Sequence, residues 1–268
     1  MSSLSIDVSG LGVRVRHVPS DLVPILEDAW RGFVVSEVDD PLVEAIVAES
    51  DGAALTPARV MVGPMSVRRE GGTVRLARDE GEASLDLASG RMTATLAAGD
   101  DGRRAWGLVN LVTAALAWRL AGRGGGILHA AGIVIDGRAF VLIGAEGSGK
   151  STFARVATAA GAGVISDDQV VVARSPRGLE AVGAPVRNRD ASTLSRGRWP
   201  VAAFLLPRHG TPAAVAPAAR LDLAARLAAN LLYVSGEGPL DELASGVPAL
   251  WLTFAPEPSF VDRLRETL

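Results

Sequence analysis

A chain of 268 residues, 48% apolar and 21% charged, has the length and balance of one large or two small globular domains with a substantial core. A formal net charge of −3 leaves no global basic field to recruit nucleic acid or an anionic membrane. The absence of cysteine excludes disulfides, thiolate nucleophiles and zinc–thiolate sites.

The N-terminus, Met1 to Asp7, lacks the basic start and apolar run of a signal peptide. The most apolar stretch, around Trp106–Leu120, contains Asn110 and Thr113 and falls short of the ~18 uninterrupted residues of a membrane span. A cytoplasmic protein is therefore expected, with neither nucleic acid nor membrane as a partner.

The first hundred residues read as a small α+β unit. Leu4–Val8 and Val13–Val18 alternate as strands, and Pro19-Ser20-Asp21 starts a helix carrying Leu22, Ile25, Leu26, Ala29 and Trp30. Short alternating runs at Ala58–Val62, Thr73–Ala77, Ala83–Leu87 and Met92–Leu96, separated by glycine-containing turns, predict an antiparallel meander. No motif in this unit carries chemistry.

Asp100-Asp101-Gly102 marks a break, and a domain boundary is expected there, with residues 1–100 on one side and 101–268 on the other. A helix is predicted from Arg104 to Leu120, ended by Gly124-Gly125-Gly126. Two strands, Ile127–Ile135 and Arg138–Ile143, follow around the tight-turn pair Asp136-Gly137. After a glycine-rich loop come a helix over Ser151–Ala160 and a short buried strand, Val164-Ile165-Ser166, ending in Asp167-Asp168. A strand is expected over Gln169–Ala173, a loop over Pro185–Pro200, and an apolar strand over Val201–Leu206 that stops at Pro207-Arg208-His209. The remainder predicts a helix over Leu221–Leu232 with Leu221, Leu223, Leu227 and Leu231 on one side, a short helix at Leu240–Ala244, a strand at Ala249–Phe254 and a terminal helix over Phe260–Leu268.

The octet Gly144-Ala145-Glu146-Gly147-Ser148-Gly149-Lys150-Ser151 fits the phosphate-binding loop pattern G-x-x-x-x-G-K-[ST] at every fixed position. Lysine and arginine together number 27, and Lys150 is the one lysine; every other basic residue is arginine. Lysine thus survives where a compact ammonium suits the chemistry better than a wide planar guanidinium. Strand, loop and helix supply the context the motif requires; the bland alternative is a glycine-rich turn before a helix. The glycines let backbone N–H groups point at phosphate, the helix presents its positive dipole end, Ser151 would supply a hydroxyl to Mg²⁺, and Thr152 would contact phosphate or cap the helix.

Asp167-Asp168 at the end of a buried strand would sit beside the terminal phosphate, one carboxylate serving Mg²⁺ and the other a reacting hydroxyl. An ordinary Asp-Asp turn is the competing reading. His129 begins the strand whose hairpin partner delivers the loop, so pairing could bring it to the loop's mouth. A lone histidine is more often structural. His17 and His209 are read as structural.

The run Leu128-His129-Ala130-Ala131-Gly132, Asp136-Gly137-Arg138, Gly144–Thr152 and Ser166-Asp167-Asp168 resembles the catalytic core of the HPr kinase/phosphorylase family and its related kinases. Leu206-Pro207-Arg208, the Leu221–Leu232 helix and the closing Val247-Pro248 and Leu252-Thr253-Phe254 are weaker points of similarity. The resemblance implies an α/β fold, a P-loop kinase core of the HPr-kinase type behind a small N-terminal α+β domain. It implies ATP and Mg²⁺ as cofactors and a loop site formed by Gly144, Ala145, Glu146, Gly147, Ser148, Gly149, Lys150, Ser151 and Thr152. It also implies Asp167 as general base toward a serine hydroxyl, Asp168 and Ser151 as Mg²⁺ partners, and His129 and Lys150 as phosphate-site contacts.

Family members that run the reverse reaction carry a Glu-Ile-Arg-Gly-type segment after the aspartate pair. Here that region reads Gly183-Ala184-Pro185-Val186-Arg187-Asn188-Arg189-Asp190, so the resemblance carries over neither the phosphorylase activity nor HPr as substrate. Arg187, Arg189 and Arg208 could clamp phosphate or lie on solvated loops.

The implied activity is transfer of a γ-phosphoryl group to a hydroxyl, in first place a serine of a protein or ribosomally made peptide, of the lasso-peptide type among others. The N-terminal unit would bind that substrate or serve oligomerisation. A small-molecule alcohol is the alternative acceptor, and a regulatory module that binds ATP without turning it over is the alternative class. A phosphoenolpyruvate-carboxykinase-like enzyme would need a second lysine, which the chain lacks.

Overall fold

The computed structural model describes residues 2–48, 61–62, 65–185, 196–234 and 238–268. The chain forms two compact units, one of Met1–Gly122 with Leu232–Gly236, the other of Arg123–Leu231 with Glu237–Leu268. The boundary thus falls at Gly122 and not after residue 100.

The first unit contains β1 (Ser2–Val8), β2 (Leu11–Val18), α1 (Val23–Ala29), β3 (Val34–Val35), β4 (Val43–Ala48), β5 (Met61–Val62), β6 (Met65–Glu70), β7 (Thr73–Arg78), β8 (Gly81–Asp86), β9 (Arg91–Leu96) and α2 (Asp101–Ala121). Its strands form one mixed sheet in the order β3-β1-β2-β4-β9-β8-β7-β6-β5. The expected meander holds for β7, β8 and β9, each pair antiparallel; β6, antiparallel to β7, is an additional strand that no expectation covered. The sequence reading missed β4, which enters the middle of the sheet parallel to both β2 and β9. Its alternation is plain in Val43, Ala45 and Val47, all buried, with Glu44 on the opposite face. Of the expected Ala58–Val62 strand, Met61–Val62 are described, and the remainder lies outside the described residues.

α2 is buried along most of one side and packs on β4, β7, β8 and β9. That packing is why it belongs to the first unit. Asp100 caps it, its carboxylate accepting from the Arg103 N–H at 2.9 Å. No helix among the described residues is long and apolar enough to cross a membrane.

The second unit contains β10 (Gly126–Ile135), β11 (Arg138–Ile143), α3 (Lys150–Ala159), β12 (Gly163–Ser166), β13 (Gln169–Ser175), β14 (Gly178–Val182), β15 (Arg198–His209), β16 (Ala214–Pro217), α4 (Arg220–Asn230), α5 (Leu240–Ala244), β17 (Ala249–Phe254) and α6 (Ser259–Arg265). β10 and β15 are long strands that serve two halves of the sheet. Gly126 to His129 pair with β13, while Ala130 to Ile135 pair with β11 and, from Gly132, with β12. Arg198 to Pro200 pair with β14; from Val201 onward β15 pairs in parallel with β11 and then β17. Asp136 and Gly137 take φ values of 48° and 77°, the left-handed pair a two-residue hairpin turn requires.

Alternation sorts the side chains into two cores. Leu128, Ala130, Val141, Ile143, Phe204 and Leu206 join Leu223 and Leu227 of α4. Ala131, Ile133, Phe140, Leu142, Ala203 and Leu205 join Phe153 of α3 and Phe260 of α6. Phe153 stacks on Phe260 at 5.1 Å and meets Phe254 edge-on at 6.0 Å, fixing α3 to the sheet.

The strand expected to stop at Leu206 continues through Pro207, Arg208 and His209, paired with Leu252, Thr253 and Phe254. β11 ends its pairing with β15 at Leu205, so beyond that point β15 has no ladder with β11, a setting in which proline is tolerated. Leu221 is 80% exposed and does not share the apolar side of α4. Residues two apart on a helix point in nearly opposite directions, and Leu223 with Leu227 carries the packing instead. The sequence reading also missed β14 and β16.

Candidate phosphate-binding site

β11 and β12 both run antiparallel to β10, so their C-terminal ends emerge on the same side. Ile143 lies opposite Ala130, Ser166 opposite Gly132, and Gln169 opposite His129. This register gathers the loop, the aspartate pair and His129 at one end of the sheet. His129 also shares the side of β10 that Ala131, Ile133 and Ile135 turn toward α3.

The loop geometry depends on its glycines. Gly147 and Gly149 have φ of 76° and 93°, values other residues rarely adopt. A Cβ on Gly144 would lie 2.4 Å from Ser148 Oγ and 2.8 Å from Pro207 Cγ. Gly149 caps α3 without any side-chain hydrogen bond, leaving the helix N-terminus open to an anion. Ala145, Glu146 and Gly147 form the exposed tip, and Ser151 and Thr152 are half-buried in the first helical turn.

Lys150 is buried at the base of the loop, its Nζ donating to the Gly144 carbonyl at 2.7 Å and to that of Ala145 at 3.1 Å. Ser148 Oγ is buried with no hydrogen-bond partner among the described residues. Ser166, fully buried, accepts from the N–H groups of Asp168 and Gln169 at 3.2 and 3.0 Å. Its hydroxyl thereby shapes the turn that presents the two carboxylates. Asp167 is 9% exposed.

His129 Nδ1 lies 3.4 Å from Asp168 Oδ1. Burial holds the imidazole pKa below its ordinary value, and the positive charge of Lys150 pushes the same way; Asp168 and Glu146 partly offset them. All three charged groups are therefore near enough to act on the ring. The structure thus brings His129, Lys150, Glu146 and Asp168 together around the loop, with Asp167 the neighbour of Asp168. Arg187 and Arg189 lie outside the described residues. Arg208 turns its guanidinium over the Trp251 ring, 3.9 Å from the centroid.

One neighbour of the loop was read as structural from sequence. His209 Cε1 lies 3.4 Å from the position a Cβ on Gly149 would occupy. Ala203 and Leu205 face α3, and continuing that alternation through Pro207 to His209 would have placed both beside the loop.

The loop residues fit a phosphate chain. They offer a helix N-terminus without a side-chain cap, an ammonium, and a buried hydroxyl with no partner among the described residues. A cation could take Ser151 and Asp168. No group of three or more His, Asp or Glu among the described residues could hold one alone, so phosphate oxygens and water would complete its coordination.

In the first unit, a cavity of about 330 Å³ is lined by Ser2, Ser3, Arg14, Arg16, His17 and Glu37. Glu44 pairs with Arg16 at 2.8 Å and Arg14 at 3.6 Å, and Glu37 lies 3.9 Å from Arg14, so both guanidiniums are engaged with carboxylates.

No protein-family model matches the chain, and no curated protein matches its sequence. Among solved structures, the Hpr(Ser) kinase/phosphatase from Coxiella burnetii is similar at 12% identity, over 52% of this chain and 96% of that one, with a TM-score of 0.32. A likeness of that size carries no conclusion about activity.

Proposed function

We propose that the protein is an ATP- and Mg²⁺-dependent kinase that transfers the γ-phosphoryl group to a hydroxyl, foremost a serine of a protein or ribosomally made peptide. The observation that carries this reading is the meeting of the G-x-x-x-x-G-K-[ST] loop with His129 and the Asp167-Asp168 turn at one end of the sheet. A loop alone would serve any nucleotide-binding module. Carboxylates beside it supply what transfer to a hydroxyl needs in addition, a proton acceptor and a cation partner.

ATP supplies the transferable group when bound, and Mg²⁺ neutralises its developing charge. Lys150, whose Nζ is held by the Gly144 and Ala145 carbonyls, and the loop N–H groups would bind the phosphates. Asp167 would take the proton of the attacking hydroxyl, while Asp168, oriented by His129, and Ser151 would hold the cation. Burial and the positive charge of Lys150 both disfavour a proton on the His129 imidazole. The first unit is the candidate for acceptor recognition.

The test is incubation with γ-labelled ATP, Mg²⁺ and the proteins and peptides encoded beside its gene. Label on a serine supports the reading. Label on a small alcohol redirects it to a metabolite kinase, and ATP bound but never consumed makes the protein a regulatory module.

A further inference from the structure

Granting the nucleotide reading of the loop above, we propose that His209 is the base-stacking contact of this site, the residue against which the nucleobase is held. The loop has two flanks. On the β10 flank stand His129 and Asp168, with Nδ1 3.4 Å from Oδ1, and the charge of Lys150 acts on the same imidazole. That flank holds the proton acceptors and the ammonium, so the terminal phosphoryl group belongs there. The nucleoside end must then lie toward the other flank.

β15 builds that other flank. It runs parallel to β11, with Leu205 opposite Leu142, so its last residues pass alongside the loop. Pro207 Cγ sits 2.8 Å from the Cβ position of Gly144, and His209 Cε1 sits 3.4 Å from that of Gly149. The strand end therefore borders the loop from its first glycine to its last. The His209 ring is tilted 36° to that of Phe254, with centroids 6.1 Å apart. Phe254 is buried and itself lies 3.1 Å from the Gly149 Cβ position.

One side of the imidazole is thus backed by a fixed aromatic, while the residue itself is exposed beside the α3 N-terminus. Arg208 points to the opposite side of the strand and is engaged with Trp251. Phosphate has no need of His209, since loop N–H groups and Lys150 serve it. A planar ring held at the edge of the loop suits a base, whose π-face any aromatic can stack upon.

The experiment is a calorimetric titration of the full chain with Mg²⁺-ATP and, separately, Mg²⁺-tripolyphosphate, which has the phosphates and no nucleoside. Wild type, His209→Ala, His209→Phe and Lys150→Ala are compared, with melting curves to confirm that the exposed substitutions leave the fold intact. The expected result is about a 5- to 150-fold loss of ATP affinity in His209→Ala, the scale of one lost base–aromatic stack, with tripolyphosphate unchanged and His209→Phe close to wild type. Equal losses for both ligands, no loss for ATP, or a His209→Phe as weak as His209→Ala would overturn the assignment. The loop reading survives those outcomes as long as Lys150→Ala weakens both ligands. Wild type that binds neither ligand would overturn both.

Discussion

Replacing Lys150 removes the only lysine ammonium the chain has. Lys150→Ala is expected to weaken nucleotide binding and abolish turnover. Lys150→Arg is not expected to rescue it, because a guanidinium does not fit between the Gly144 and Ala145 carbonyls that now hold Nζ. Titration with nucleotide checks both; an arginine variant at the wild-type rate would refute the role of the lone lysine. Asp167→Asn should keep ATP affinity within a fewfold while turnover falls by about 10²–10⁴, the usual scale for a lost general base. Asp168→Asn should appear chiefly as a weaker Mg²⁺ dependence. Initial rates at several Mg²⁺ concentrations separate the two, and equal mild effects would sink the division of labour.

His129 adds a pH signature. Its folded pKa is lowered from 6.5, so as pH falls below about that value the unfolded chain takes up a proton that the folded protein resists. Stability therefore drops with acidification through that window and is unaffected by this group above it. His129→Asn should flatten that part of a stability-versus-pH profile measured by urea denaturation. An unchanged slope would mean that the imidazole is not held neutral.

At the scale of elements, the loop's glycines should differ in cost. Gly147→Ala meets nothing within 4 Å and bears only its φ of 76°. Left-handed backbone in an L-residue costs roughly 1–2 kcal/mol. Gly149→Ala combines φ of 93° with Phe254 at 3.1 Å and should cost more, while Gly144→Ala must displace Ser148 or Pro207. Phe153→Ala, buried between Phe254 and Phe260, should cost about 3–5 kcal/mol and loosen the start of α3. Denaturation midpoints rank these four; Gly147→Ala as the most damaging would contradict the loop geometry.

The same elements show what sequence could reveal. β10, β11, α3 and β12 were legible because turn chemistry, strand alternation and a fixed motif all pointed one way. The end of β15 was not, because Pro207 reads locally as a terminator, and only the long-range ladder with β17 keeps the strand going. His209 was lost with it. β4 is placed by parallel ladders to β2 and β9, segments distant in the sequence that no local turn joins to it, and α2 was set beyond the domain boundary because its apolar pattern does not say which sheet it will cover.

Across the whole second unit, β10 and β15 each run through both halves of the sheet, so the loop's support depends on strands far from it. Val172→Ala in β13, at a fully buried position, should cost about 2 kcal/mol. It should lower hydrogen-exchange protection in β13 and α3 by the same factor. Loss confined to β13 and β14 would show that the halves open separately.

The most direct measurement is a single-turnover assay with the protein in excess over γ-labelled ATP and Mg²⁺, with and without serine-containing acceptor peptides. The label should leave ATP for a serine hydroxyl, or slowly for water when no acceptor is present, with Asp167→Asn about 10²–10⁴ slower and Lys150→Ala inert. Wild-type protein that binds ATP yet releases label no faster than Asp167→Asn under every condition would contradict the account.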